Sequence, residues 1–375
     1  MRTGLRLEAR RELDWLCRQG LEWPTLVEET SRVIRRAVPH ERFCFHTIDP
    51  ATGLLTGGLA RNLERGDGYP AMLRNEYTEA DVNKWEQLAA HERPVGSLSA
   101  ATGGRLERSA RYRELLRPQE CAWELRASLV SRKQWWGAIA IYRSDGEPDF
   151  TEPELDFVAE ISASLAEGFR CALVVGSVGE EDGGGDGPGL ILFDDRGQLL
   201  EVTDAASAWL AELRGADAAQ AEWLPVEVYA VALRAGDGAG RLARARVRAP
   251  SGRWLALDGV SLGSARTAVI IQAARGPEIL ALIVQSHGLT GREREITELT
   301  LAGLSTAVIA ARLQISPYTV QDHLKAIFEK VGVRSRRELV ARIFYEQHFP
   351  RIMAGEHPDA SGALGRPRGA GLVRL

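Results

Sequence analysis

The chain has 375 residues, long enough for two or three domains. Hydrophobic residues make up 45% and charged residues 26%, a balance that excludes a wholly disordered chain. The net charge of −4 signals no polyanionic partner by itself, but it is unevenly spread: residues 1–288 carry −8, residues 289–350 carry +2 and residues 351–375 carry +2.

An acidic front and a mildly basic back is the asymmetry expected when one end meets an anion. Apolar runs such as 279–284 fall far short of the ~18 residues a membrane span needs, and residues 1–12 lack the apolar core of a secretory leader. The expectation is a cytoplasmic protein with no membrane partner. Cys17, Cys44, Cys121 and Cys171 are scattered with no Cys-x-x-Cys pair. That argues against a zinc site or a disulfide scaffold, and the apolar, strand-like contexts of Cys44 and Cys121 point to buried free thiols there rather than redox sensors.

In chain order, residues 5–19 and 24–37 carry helical spacing, with Leu26, Val27, Val33, Ile34 and Val38 on one face. Residues 42–48 read as a strand, the turn Asp49-Pro50-Ala51-Thr52-Gly53 follows, and a second strand lies near 54–60. Helical segments near 70–90 and 105–116 come next, then a hairpin of 122–130 and 135–143 around Arg132-Lys133-Gln134. Thr151-Glu152-Pro153-Glu154 is a capping box with proline in the first turn, launching a helix to about residue 172. The strand Gly137-Ala138-Ile139-Ala140-Ile141-Tyr142, an acidic turn, Phe150-Thr151-Glu152-Pro153-Glu154-Leu155 and the apolar-faced helix resemble the end of a GAF domain. Over 20–120 the likeness is one of element order. The resemblance implies an antiparallel sheet with helices on one or both faces and a small-molecule or regulatory pocket. Phe45, Tyr77, Trp85 and Trp123 are the candidate lining, because aromatic concavities suit planar or apolar molecules. A dimerisation module with a filled core would use the same residues.

Residues 176–189, half glycine with four acids, cannot bury a core and read as a flexible linker. Residues 190–202 read as strand, tight turn, strand. A short helix at 205–213 and strand-like runs at 241–249, 253–260 and 267–273 follow. This order resembles a small PAS domain, with Thr203 or Asp204 where that family usually has Asn. Asp194-Asp195 reads as a surface turn. The hairpin order does not suit the parallel sheet of a phospho-receiver, and the next strand offers no acceptor Asp. No internal repeat is visible.

The next block is dense with helix punctuation. Thr290 with Glu293 forms a capping box, and Ile296 and Leu299 set an apolar face. Ser305 can cap a second helix with Ile309 and Leu313 inward, and Gln314-Ile315 makes a corner. Ser316 caps a third helix with Pro317 at its first position. Val320, Leu324, Ile327, Phe328 and Val331 form its buried stripe, and Gly332 ends it. Ser335 and Glu338 open a fourth helix. Four short capped helices with a corner between the second and third form a helix-turn-helix. The string Ser305…Ile309-Ala310…Leu313-x-Ile315-Ser316-x-x-Thr319-Val320-x-x-His323-Leu324-x-x-Ile327-Phe328-x-Lys330-x-Gly332-Val333-Arg334-Ser335-Arg336 closely resembles the LuxR-type DNA-binding domain. Gly291 departs from the family's usual Pro.

That resemblance implies that the third helix enters the major groove. Tyr318, Thr319, Gln321, Asp322 and Lys325 are then the base-reading candidates: Gln suits adenine, Lys guanine, and Asp the cytosine amino group. Two of the chain's four lysines, Lys325 and Lys330, fall on this helix. Ser305, Thr306, Ser316, Lys330, Arg334 and Arg336 are the phosphate candidates, which position without reading sequence. Leu339, Ile343 and Phe344 are either core or dimer seam, and the resemblance favours the seam.

The expected class is multidomain. An α+β GAF-like sensor domain spans 1–175, and a small α+β PAS-like domain spans 190–275. A linker helix (276–288) leads to an all-α four-helix helix-turn-helix domain at 289–350, followed by a disordered tail at 351–375. The chain contains no phosphate loop, no His-Glu-x-x-His and no Gly-x-Ser-x-Gly, so neither catalytic nor metal residues are assigned. The expected function is a one-component transcriptional regulator, not an enzyme. It would bind double-stranded DNA as a homodimer, respond to a small-molecule effector, contact RNA polymerase and need no cofactor. The alternatives are a haem- or flavin-loaded redox or gas sensor of the same architecture, or a protein-interaction module that binds no DNA.

Overall fold

The computed structural model describes residues 2–63, 68–174, 187–215, 224–237, 243–263, 266–274 and 289–340, and the pairing of His357–Pro358 with Leu364–Gly365. The chain divides into two compact units, Met1–Ala274 and Arg275–Leu375. Most of the expected 176–189 linker, the linker helix at 276–288 and nearly all of the expected tail lie outside the described residues.

The first unit holds two modules. In the first, β1 (Arg42–Asp49), β2 (Leu54–Arg61), β3 (Val95–Ser97), β4 (Cys121–Ser131) and β5 (Gln134–Ser144) form an antiparallel sheet of order β2-β1-β5-β4-β3. Strand residues alternate between faces, so each face has its own core. Phe43, Phe45, Leu125, Ala127, Ile139 and Ile141 pack under α1 (Arg2–Leu16), α2 (Trp23–Ala37) and α6 (Glu152–Val174). Cys44, Ala138, Ala140 and Tyr142 face the other way, toward α3 (Gly68–Tyr77), α4 (Trp85–Ala89) and α5 (Leu98–Thr102). The β4–β5 turn is made by Arg132 and Lys133, both at positive φ (52° and 63°), the twist a tight hairpin favours. At the start of α6 only half of the expected Thr151–Glu154 capping box forms: the Thr151 N–H donates to Glu154 Oε2 at 2.8 Å, but the Thr151 hydroxyl also donates to that carboxylate and the Glu154 N–H goes to the Thr151 carbonyl.

The helix expected at 70–90 is two helices, α3 and α4, parted by a turn containing Asn83 at φ 53°. The one expected at 105–116 is a chain of 3-10 and π turns instead. Asp81 organises that segment, since its carboxylate accepts from the Arg111 N–H (2.8 Å), Ser109 Oγ (3.0 Å) and Asn75 Nδ2 (2.9 Å). Such side-chain bonds to the backbone compete with regular helix.

The second module is β6 (Gly189–Asp194), β7 (Leu199–Val202), α7 (Asp204–Arg214), α8 (Val226–Gly236), β8 (Arg244–Arg248), β9 (Trp254–Ser261) and β10 (Arg266–Ala273). Its sheet has the order β7-β6-β10-β9-β8. Numbered within each module, that is the order of the first sheet, so one topology occurs twice although the sequence shows no repeat. Asp194 makes a surface turn, its carboxylate accepting from the N–H groups of Arg196 and Gln198. Helix α8 is absent from the sequence expectation. It packs on β9 and also on β2 and α3 of the first module, and the two modules share one continuous apolar core. A buried ion pair crosses between them: Arg246 NH2 lies 2.6 Å and Nε 2.9 Å from the Asp49 carboxylate.

Cys17, Cys44 and Cys121 are buried free thiols and Cys171 is half-buried. No helix among the described residues is long and apolar enough to cross a membrane.

Candidate nucleic-acid interface

In the second unit, α9 (Gly291–Leu301), α10 (Thr306–Leu313), α11 (Pro317–Val331) and helical residues 336–340 surround one small core. That core is Leu289, Ile296, Ile309, Ala310, Val320, Leu324, Ile327, Val331 and Leu339. Each helix starts where the sequence places a cap. The Thr290 hydroxyl accepts from the Glu293 N–H while Glu293 reaches back to the Thr290 N–H at 2.7 Å. Ser305 accepts from the Val308 N–H, and Ser316 accepts from the Thr319 N–H at 3.0 Å. Such caps each contribute about 1 kcal/mol. Gln314 adopts the left-handed region (φ 55°, ψ 43°), which turns the chain sharply between α10 and α11. Gly332 does the same at the end of α11.

With Val320, Leu324, Ile327 and Val331 buried, the opposite face of α11 is turned to solvent. Tyr318 is 75% exposed, and Gln321, Asp322 and Lys325 are exposed beside it. Thr319 is half-buried and its hydroxyl bonds that of Ser316 at 2.9 Å, so it supports the cap. Lys325 Nζ stands 3.8 Å from Asp322 Oδ1, a solvent-exposed pairing of small energetic weight that leaves both groups able to exchange partners.

The phosphate candidates separate into two groups. Ser305, Ser316 and Arg334 are exposed and Thr306 half-buried, at the helix starts and just past the end of α11. Lys330 and Arg336 are engaged within the domain instead. Lys330 Nζ sits 2.5 and 2.7 Å from the two carboxylate oxygens of buried Glu293, clamping α11 to α9. Burial works to raise the Glu293 carboxyl, but the Lys330 ammonium and the Thr290 bonds outweigh it and hold it below the usual carboxylate range. The Arg336 guanidinium donates to the carbonyls of Leu304 and Thr300, closing the end of α9. Arg292, which sequence reasoning passed over, donates similarly to the Leu313 carbonyl at the end of α10 (3.3 Å). Leu339 corrects an expectation: it is wholly buried in the domain's own core and cannot serve as a dimer seam. Ile343 and Phe344 lie outside the described residues.

The four aromatics expected to line one pocket in the first module do not converge. Phe45 and Trp123 lie on the face under α1, α2 and α6, with the Trp123 indole donating to the Glu147 carbonyl. Tyr77 and Trp85 lie on the other face. The Tyr77 hydroxyl accepts from the Leu55 N–H, and the Trp85 indole donates to the Ile139 carbonyl beneath the Arg126 guanidinium, 4.0 Å from the ring. A cavity of about 70 Å³ on that face is lined instead by Cys44, His46, Tyr69, Arg111, Arg126 and Tyr142, among others. Burial holds the His46 pKa down to about 3, outweighing the backbone of Gly57, so the imidazole is neutral.

Residues 287–343 match the family model described as "Bacterial regulatory proteins, luxR family", so the carboxyl-terminal helices form a LuxR-type helix-turn-helix domain. Over 54 residues the chain is 48% identical to the monoamine regulon transcriptional regulator of Klebsiella aerogenes, covering 14% of this chain and 24% of that one. It is 37% identical over 67 residues to the transcriptional regulatory protein DesR of Bacillus subtilis, covering 18% and 34%. A 48% identical stretch of 52 residues is shared with an HTH-type transcriptional regulator of Mycobacterium bovis, of which it spans only 6%. All three likenesses thus cover well under two thirds of the relative. A bacteriophytochrome crystal structure from R. palustris overlaps 71% of this chain and 62% of its own at 13% identity, with a TM-score of 0.31, too slight to assign a fold.

Proposed function

We propose that the chain is a sequence-specific, DNA-binding transcriptional regulator of the one-component kind, in which residues 2–274 govern a carboxyl-terminal helix-turn-helix. The observation that carries this reading is the two-faced α11. One side is locked into a capped core, and the other presents Tyr318, Gln321, Asp322 and Lys325 to solvent in a segment matching a regulator family. A rigid helix with polar side chains one turn apart is what base-edge reading in the major groove requires. A single such helix covers one half-site, so the active form in this reading is a homodimer. The GAF and PAS resemblances support a sensory role for the first unit, and the small cavity at His46 supports an effector of few atoms.

The test is fluorescence anisotropy of the full chain on its own upstream DNA and on a scrambled duplex, at several salt concentrations. Lys325→Ala loses about 1–3 kcal/mol on the upstream site and little on the scrambled one. Arg334→Ala weakens both alike and flattens the salt slope by about one unit. Equal affinity of the unaltered chain for the two duplexes would overturn the reading.

A further inference from the structure

Two of the four cysteines, Cys17 and Cys171, stand at one junction of the first module, where the end of α1 meets α6. The two helices run side by side in the same direction, and their contacts advance in step. Arg10 pairs with Glu160 at 3.0 Å, the Ser164 hydroxyl donates to the Asp14 carboxylate at 2.5 Å, and Cys17 sits on Gly168. At that last contact α6 offers bare backbone. A Cβ added at Gly168 would stand 2.8 Å from Cys17 Sγ and 3.2 Å from Cys17 Cα, so only glycine lets Cys17 approach this closely.

Cys171 lies three positions beyond Gly168 and shares its face of α6. Side chains on a helix lean toward its amino terminus and cover the turn before their own Cα. The Cys171 thiol is thereby directed back over the turn that holds Gly168, against which Cys17 Sγ rests. The two sulfurs are near enough to act on each other. Burial pushes the Cys17 thiol up to about 12, and the neighbouring Asp14 carboxylate and Cys171 thiol add to the rise. The pair is unequal in access: Cys17 is 7% exposed, whereas Cys171 is half-buried. Arg170 NH2 stands 3.5 Å from Cys171 Sγ while also pairing with Glu167 at 2.7 Å, so the more accessible sulfur has a cationic donor at its side.

We propose that Cys17 and Cys171 are a redox modification site, joined by a reversible disulfide that fastens the end of α1 to α6. The oxidant is a hydroperoxide. The Cys171 sulfur attacks one peroxide oxygen, so an S–O bond forms as the O–O bond breaks. With hydrogen peroxide the leaving oxygen departs as water with the thiol proton, and Cys171 becomes a sulfenic acid. The Cys17 sulfur then attacks the Cys171 sulfur, and the S–S bond forms as the hydroxyl leaves with the Cys17 proton as water. Two thiols lose two electrons and the peroxide gains them, and a dithiol reverses the change by exchange. The inference concerns sulfur chemistry in the first module and stands apart from the regulatory reading, because its test uses no DNA.

The full chain is reduced, treated with hydrogen peroxide and digested without reductant for mass spectrometry. The peptide holding Cys17 is recovered joined to the peptide holding Cys171, two hydrogens lighter than the pair, and dithiothreitol separates them. Cys17→Ser stops Cys171 at the sulfenic acid, which dimedone labels, and Cys171→Ser leaves Cys17 reduced. Recovery of Cys17 as a free thiol in the unaltered chain after Cys171 has been oxidised would overturn the proposal. So would a link from Cys171 to a second chain, to Cys44 or to Cys121. Both thiols intact at a peroxide excess that fully oxidises free cysteine in the same tube would overturn it as well. Should either serine variant fail to fold, the linkage map of the unaltered chain decides by itself.

Discussion

The two modules of the first unit follow the same strand order but fill it with different chemistry. In the first, the sheet face toward α3 and α4 holds a buried charge cluster. Arg111 donates to both oxygens of Glu124 at 3.1 Å or closer, and Arg126 bridges Glu124 (3.1 Å) and Glu76 (2.8 Å). All four side chains are at most 2% exposed. In the second, the corresponding interior is Ile191, Phe193, Trp209, Val231, Leu257 and Ile271, and the buried acid is Glu227 at the edge of the module. The lesson is that alternation of apolar residues along the strands suffices for the topology, because both modules have it. A desolvated ionic cluster is a separate investment that gives geometric uniqueness at one place, since each charge there is tolerable only with its partners in position.

The largest effect should come from breaking that cluster. Arg126→Leu leaves Glu76 and Glu124 each short of a cationic partner in the interior, a loss of about 3–5 kcal/mol in urea unfolding. In the second module, Arg244→Leu removes a half-exposed pairing with Asp258 and should cost under about 1 kcal/mol. Similar losses at both sites would erase the contrast between the modules.

Next in size is the pH response of Glu227. Its folded pKa of about 7 lies above the ordinary 4.5, with burial as the cause. The folded state therefore binds the proton more tightly. The stability this gives is fully present below pH 4.5 and is lost as pH rises to about 7, after which the deficit is constant. The full difference amounts to about 3 kcal/mol. Glu227→Gln should be more stable than the unaltered chain by up to that amount at pH 8, and the two should converge near pH 4.5. Parallel stability curves from pH 5 to 8 would show instead that water reaches the carboxyl and that the second module's edge is not dry.

How much of this could be read from the sequence depended on the range of the interactions. The helix-turn-helix was legible because its determinants are local: Thr290 with Glu293, Ser305, Ser316, Pro317 and Gly332 each act within one helical turn. Apart from β3, whose three residues are too short to show a pattern, the strands of both modules were legible from alternation, within a few residues at their ends. Helix α8 was not. Val226, Val228 and Val231 carry strand propensity, and the helix is apolar on several sides because it lies between its own sheet and β2 of the first module. Asp81 and Arg111 are thirty residues apart, and Glu293 and Lys330 thirty-seven, distances over which no spacing rule pairs two charges. Lys330 consequently read as a phosphate contact, when its ammonium holds two helices together. Leu339 shows the complementary limit: helical spacing marks it as apolar but does not say whether its cover comes from its own domain or a second copy.

The smallest effect tests whether the second module, lacking an ionic cluster, relies on a polar anchor elsewhere. Thr203 is the cap of α7, and its hydroxyl accepts from the N–H groups of Leu190 (3.0 Å) and Ala206 (3.4 Å), so it ties that helix to the start of β6. The same junction is also held by close packing. Gly189 lies so near Ala206 that an added Cβ would come within 2.4 Å of its Cα, and Ala206 itself is wholly buried. Packing of this kind persists when the hydroxyl is removed, so Thr203→Ala should lose only the cap and the exposed bond from Leu190, about 1 kcal/mol in all. In a unit of this size that lowers the unfolding temperature by about 2–4 °C, and Thr203→Ser should restore most of it. A loss as large as that of Arg126→Leu would mean that the second module hangs on one hydroxyl rather than on its apolar core, and the distinction between an ionic interior and an apolar one would no longer describe how the two modules are held.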